Sequence, residues 1–250
     1  MTLSLGREYD SEHPATLSRG TLTVPSILRP AYAVLLCAAA SSAVRAQARH
    51  DFAPFMMDRS AEIALARTAA AHSITDSATI LTLTPKGYEA QGHGKNGFTC
   101  LVMRGFTARA GNPVYWDPKN LGPACFNERA SKTVLPAILR QVELLISGLE
   151  PDSVETLIRA AYAKHDFVPP AEGSMAFMLS HEQHLADQNP HWQPHVMVFV
   201  SSAVNGREWG VGSSAPATVF DDSQAGEPWP VLTLFIPVQR WSDGTAAGGH

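Results

Sequence analysis

Apolar positions along the chain change period several times, and each change marks an element. Residues 58–71, DRSAEIALARTAAA, place Ile63, Ala66 and Ala70 along one helical face, with Asp58 positioned to cap the first turn. From Ser131 onward, Val134, Leu135, Ile138, Leu139, Val142, Leu145 and Ile146 recur at three- and four-residue intervals, which predicts a longer helix. Pro136 falls early enough in it that its missing N–H costs little. Gly148 ends this helix, and Pro151-Asp152 opens another whose apolar face is Val154, Leu157, Ile158, Ala161 and Tyr162. The joint is short, so the two helices form an antiparallel hairpin.

Elsewhere the apolar runs are short and punctuated. TILTLT, a Pro85-Lys86-Gly87 turn, YEAQ, the Gly-rich GHGKNG and GFTCLVMR predict a three-stranded meander. GHGKNG lacks phosphate-loop spacing and leads into a strand-like run, so it reads as a hairpin turn. Residues 106–126 are irregular, rich in Gly, Pro and Asn, and need a staple or a function. Past Val168-Pro169-Pro170, the runs SMAFML, HVMVFV, ATVF and WPVLTLFIPV read as four strands buried on both faces or lying under helices. The pattern predicts one α+β domain over residues 58–241, in which the N-terminal helix and the helical hairpin cover an antiparallel sheet of six or seven strands. A linker at 47–57 precedes it and a flexible tail at 242–250 follows.

The first 46 residues stand apart. Ala31–Val44, AYAVLLCAAASSAV, is small and apolar, follows Arg29, and leads to small residues suited to cleavage near Ala46, as in a secretory signal peptide. The run falls short of the ~20 residues a transmembrane helix needs. Residues 1–28 are long for the leading segment of a signal peptide, which places the translation start nearer Val24. The expected protein is exported, periplasmic or secreted, with no transmembrane segment in its mature form. Cys37 follows Leu36, where lipid attachment wants a small residue. Removal of residues 1–46 leaves Cys100 and Cys125, an even count in an oxidising compartment, and a disulfide between them is expected. Two buried free thiols are the alternative. A length of 250 residues with 45% hydrophobic positions suffices for a normal core. The net charge of −4, without a basic stripe, excludes a nucleic-acid partner.

Chemistry concentrates in one place. His181, His184, His191 and His195 lie on a single connection between predicted strands. Ser180 and Gln183 have capping-box spacing, so one helical turn from Ser180 would put His181 and His184 on one side, where a zinc ion is a candidate ligand-sharing partner. HEQH is one residue short of H-E-x-x-H and is not a metalloprotease motif. Pro190 and Pro194 favour extended geometry around His191 and His195. Four extended residues span about 13 Å, too far for both imidazoles to reach one zinc at ~2.0 Å without a turn at Trp192-Gln193-Pro194. The candidate metal ligands are His181, His184, His191 and His195, and the physically better set is His181, His184 and one of the other two, with Glu182 or Asp187 as further ligand or base. The plainer reading makes these surface-loop residues, with His195 hydrogen-bonded at a strand entrance. His195 is also a candidate catalytic base, oriented by Asp221 or Asp222. Gly212-Ser213-Ser214 lacks the serine-hydrolase elbow. Tyr115, Trp116 and Trp229 are candidates for a sugar or peptide groove, or for packing over a core edge.

NGFTCLV, GPAC, HWQPH before an apolar strand and the terminal WSDGT resemble a group of uncharacterised exported bacterial proteins, over roughly Ile63 to Thr245. The resemblance implies secretion and a cysteine pair at Cys100 and Cys125, and brings no activity. In that group the counterpart of SHEQH does not regularly supply histidines, which leaves His191 and His195 as the stronger pair. The expectation is an envelope module that binds a small molecule or another envelope protein. The alternative is a metal-dependent hydrolase using the loop 181–195.

Overall fold

The computed structural model describes residues 50–187, 192–201, 220–221 and 231–247. The predicted signal segment and residues 47–49 lie outside the described residues, as do His191, Asp222, Gly212-Ser213-Ser214, Trp229 and the last three positions of the tail. The chain is an α+β fold, built on one sheet in the order β2-β1-β3-β4-β5-β6-β8-β7. Its strands are β1 (Thr79–Thr84), β2 (Gly87–Ala90), β3 (Thr99–Arg104), β4 (Leu121–Phe126), β5 (Met175–Met178), β6 (His195–Val200), β7 (Phe220–Asp221) and β8 (Leu232–Pro237). All pairs are antiparallel except β1 with β3.

That one parallel pair corrects the predicted meander. β1 and β2 form the expected hairpin, but β3 lies on the other side of β1, pairing Thr79 with Thr99 and Ile80 with Cys100. GHGKNG is accordingly a crossover. It is tied down where it passes the start of β1: the Lys95 N–H donates to Ser77 O and the Gly94 N–H to Thr79 Oγ1. The passage is so close that a Cβ on residue 94 would sit 2.3 Å from Thr79 N and 2.4 Å from Ala78 C, which leaves room only for glycine.

Helices cover both faces. On one, α1 (Arg59–Arg67) is capped by Asp58, whose carboxylate accepts from the Ser60 and Ala61 N–H groups, as its position predicts. Leu65, Ala66, Ala69 and Ala70 press onto Ile80, Cys100, Val102 and Cys125, and the short α2 (His72–Thr75) follows. On the other face lie α3 (Glu128–Thr133), α4 (Leu135–Ile146) and α5 (Pro151–Ala163). α4 and α5 are the predicted hairpin, turned at Gly148 with φ of 98°. Pro136 sits in the first turn of α4, where no N–H is required.

Cys100 and Cys125 face each other across β3 and β4 and are joined in a fully buried disulfide. The stretch read as an irregular loop is thus partly wrong: its last six residues, LGPACF, are the strand β4. Pro123 is tolerated there because β5 pairs with β4 only at Cys125 and Phe126. Two flanking segments also take part in the fold. In the stretch expected to be a linker, Phe55 is buried among Phe106, Tyr115 and the α4–α5 side chains. The described part of the tail folds back, with Ser242 N–H donating to Leu179 O and Ala247 N–H to Gln239 O.

β1 and β3 stay paired for only two residues, and a buried ion pair fills the split that follows. Arg104 on β3 donates from Nη2 to Glu62 Oε1 at 2.8 Å, and the Glu62 carboxylate accepts from the Leu83 N–H of β1 at 3.2 Å. Nη1 and Nε of Arg104 reach Val102 O and Phe55 O. Burial raises the Glu62 carboxyl above its ordinary value, against the pull of Arg104.

Among the described residues no helix is long and apolar enough to cross a membrane.

Candidate functional site

The face of the sheet beneath α4 is not completely filled. A cavity of about 540 Å³ lies between the sheet and the helical hairpin. Alternation puts its floor residues on one face of successive strands: Met103 from β3, Phe126 from β4, Met178 from β5, Met197 and Phe199 from β6, and Phe235 from β8. Val134 at the joint of α3 and α4, Ile138 and Gln141 of α4, and Tyr162 of α5 form the roof. Three of the floor residues are methionines, unbranched and polarizable, which adapt to an irregular guest better than branched side chains do.

One wall is the loop that follows β3. A short 3-10 turn at Gly105–Thr107 lets the chain fold back on itself so tightly that a Cβ on residue 105 would lie 1.9 Å from Val114 O. Gln141 fastens this loop to α4: its Nε2 donates to Phe106 O and Ala108 O, both at 2.7 Å, and its side chain also bonds Tyr115. Arg109, Asn112 and Thr107 face the cavity from the loop. Tyr115 is buried, and Trp116 stacks on His50 and packs edge-on to Phe52, so both close the core edge instead of lining a groove. Burial raises the phenol of Tyr115 above its ordinary value and pushes that of Tyr162 up to about 12, keeping both neutral.

The described part of the histidine loop borders the cavity through Leu185, Ala186 and Trp192, and its described imidazoles do not converge. His181 faces Asp243 at 3.7 Å, while His184 bonds Asp187 at 3.2 Å. Asp187 is shared with Lys119, and the Lys119 ammonium, ahead of His184, holds its carboxyl below the usual range. Glu182 is exposed and makes a backbone bond from its N–H to Ser180 Oγ. Among the described residues no group of three or more His, Cys, Asp or Glu side chains is placed to hold a metal ion.

His195 occupies the strand entrance, as its place before the apolar run implies. It opens β6, is buried, and shares the face of Met197 and Phe199. Its Nδ1 lies 2.9 Å from Gln193 O. A carbonyl can only accept, so Nδ1 carries the proton and Nε2 presents a lone pair. That lone pair is buried and unpartnered, as is Oε1 of Gln183, whose Nε2 donates to Trp192 O. Burial lowers the His195 pKa, with the Gln193 bond working weakly the other way, so the ring is neutral. The partner at Nδ1 is this carbonyl; along β8, Asp221 is placed opposite Leu234 and His195 opposite Pro237. Trp192 and Phe235 each pack against the imidazole and also line the cavity.

The cavity itself is the feature that the sequence reading missed. One signal was present: Gln141 stands on the apolar stripe of α4, between Ile138 and Leu145, where a polar residue must have buried partners. Nothing in the local pattern marks Arg109. Comparisons of the chain with protein-family models, curated proteins and solved structures give no match.

Proposed function

We propose that this chain is an exported bacterial envelope protein that binds a small, largely apolar molecule between its sheet and its helical hairpin. The reading is carried by the cavity of about 540 Å³, which is of ligand-binding size and mostly apolar with a few polar groups on one wall. Its export is supported by the apolar run 31–44 and by the disulfide between Cys100 and Cys125, a bond at home in an oxidising compartment. The rival, a zinc-dependent hydrolase, draws no support from the described histidines, because His181 and His184 are turned to different carboxylates.

Titration with N-phenyl-1-naphthylamine, an uncharged dye whose emission rises in apolar surroundings, tests the binding reading. Saturable one-to-one binding is expected. Gly122→Val should weaken it severalfold, because a Cβ at residue 122 meets the flexible end of Met178 at 3.0 Å and drives it into the cavity. A natively folded protein that gives no saturable signal would overturn the proposal.

A further inference from the structure

The cavity carries one charged group that its surroundings leave unmatched. Arg109 lines it from the loop after β3, half-buried, and its Nη1 is shielded from water without an acceptor. The other polar groups on this side are engaged. Gln141 holds Phe106 O and Ala108 O, Asn112 accepts from the Val114 N–H, and Asn120 donates to Leu185 O. The acidic side chain bonded to this loop, Glu155 on α5, accepts from the Ala110 N–H at 2.7 Å and forms no ion pair with Arg109. The contrast with Arg104 is direct, since that guanidinium spends its donors on Glu62, Phe55 O and Val102 O.

A guanidinium nitrogen removed from water and left without an acceptor is costly. An anion that entered the cavity would remove that cost, and the planar fork of arginine suits a carboxylate, to which it donates two parallel bonds. The floor offers no charge: Met103, Phe126, Met178, Met197, Phe199 and Phe235 are its larger groups. We infer that the ligand is an amphiphilic carboxylate, its apolar body on the methionine and phenylalanine floor and its carboxylate against Arg109. The inference rests on the cavity-binding reading and adds the chemical class of the ligand.

Calorimetric titration of the full chain with dodecanoate and dodecylammonium below their micellar concentrations, and with dodecan-1-ol below its solubility limit, tests it. Dodecanoate should bind about tenfold to a hundredfold tighter than the alcohol, the range expected for a charge-assisted hydrogen bond, and the ammonium should bind worst. Arg109→Met should bring carboxylate and alcohol to the same affinity, with the larger loss on the carboxylate. If that variant fails to fold, the order of the three ligands on the unaltered protein decides the matter. Equal affinities for carboxylate, alcohol and ammonium would overturn the assignment to Arg109 and leave the cavity reading standing. Binding of none of them, together with no dye signal, would overturn both.

Discussion

Replacing Arg104 by methionine keeps most of the side-chain volume and removes the charge that faces Glu62. The carboxylate would keep the Leu83 N–H and lose its guanidinium partner at 2.8 Å, in a site where both side chains are essentially inaccessible to water. Breaking one side of a buried ion pair costs about 3–5 kcal/mol. A ceiling on the electrostatic part comes from the alternative of protonating Glu62. From an ordinary value of 4.5, taking up a proton at pH 7 costs about 3.4 kcal/mol, and at pH 5 only about 0.7 kcal/mol. Loss of the bond to Phe55 O adds about 1 kcal/mol at either pH. The folded variant would hold a proton on Glu62 at pH values above 4.5 where the unfolded chain has released it, so its stability falls as pH rises. Because burial already holds the wild-type Glu62 carboxyl above its ordinary value, urea unfolding of the oxidised protein should show a gap between wild type and Arg104→Met of at most about 4 kcal/mol at pH 7, narrowing by at most about 2–3 kcal/mol at pH 5. The double variant Glu62→Leu/Arg104→Met should recover part of the loss, since an apolar pair leaves no buried charge, while the Leu83 N–H and Phe55 O still lose their partners. A gap below about 1 kcal/mol, or one that does not change with pH, would refute this account of the split between β1 and β3.

Other outcomes follow from single features. His195 has a folded-state pKa below its ordinary 6.5, so wild-type stability should fall as pH drops through and below about 6.5, by up to about 1.4 kcal/mol per unit. His195→Gln should flatten that part of the unfolding profile, and an unchanged slope would show that another group titrates. Cys100→Ala/Cys125→Ala removes a cross-link closing a 25-residue separation, worth roughly 3 kcal/mol in the chain-entropy model. A loss under about 1 kcal/mol in urea unfolding would show that the reduced chain is already constrained there. Gly94→Ala should cost more than about 2 kcal/mol, at the upper end of single substitutions, because its Cβ meets backbone that cannot move aside. A thermal midpoint within a degree of wild type would show that the crossover takes another path.

The helical hairpin is legible in the sequence because a 3.6-residue period repeated over two elements, with Gly148 between them and Pro151 at the second start, has no competing interpretation. β5, β6 and β8 are legible as apolar runs between turn residues, and the cysteine pair as an even count; the run ATVF meets β7 at Phe220 alone, its first three positions lying outside the described residues. β4 is not. Pro123 and the glycine before it look like loop chemistry, and only the local absence of β5 pairing makes them compatible with a strand. The crossover was equally hidden, since a Gly-rich joint between two apolar runs fits a hairpin as well as a passage across β1. The histidine loop misled for a different reason. Spacing brings His181 and His184 near each other in sequence, but Asp243, contributed by the C-terminal turn, and Asp187 with Lys119 decide where the rings face. Those partners are long-range or shared, and no local pattern announces them.

The position of the cavity follows from how the layers are matched. β3, β4, β5, β6 and β8 present apolar residues to the hairpin side, but α4 is only 12 residues long, about 18 Å at 1.5 Å per residue. The strands from β1 across to β8 are neighbours at roughly 4.8 Å, so the apolar face is wider than the helix that crosses it. α4 is placed over β2 and the turn after β3, where Leu83, Phe106, Val142 and Leu145 form a filled core with α5. Farther along the sheet, Met197, Phe199 and Phe235 of β6 and β8 continue the same face past the end of that contact. Apolar side chains there have fewer helix atoms above them, and the loop after β3, with Trp192 and Leu185 from the histidine connection, forms walls around the space instead of a lid on a packed layer. A chain selected only for stability would fill such a gap with larger side chains or a longer α4. Gly122 and the three methionines leave the space unfilled, and Arg109 at its wall gives it a polar end, the two features on which the proposed binding role rests.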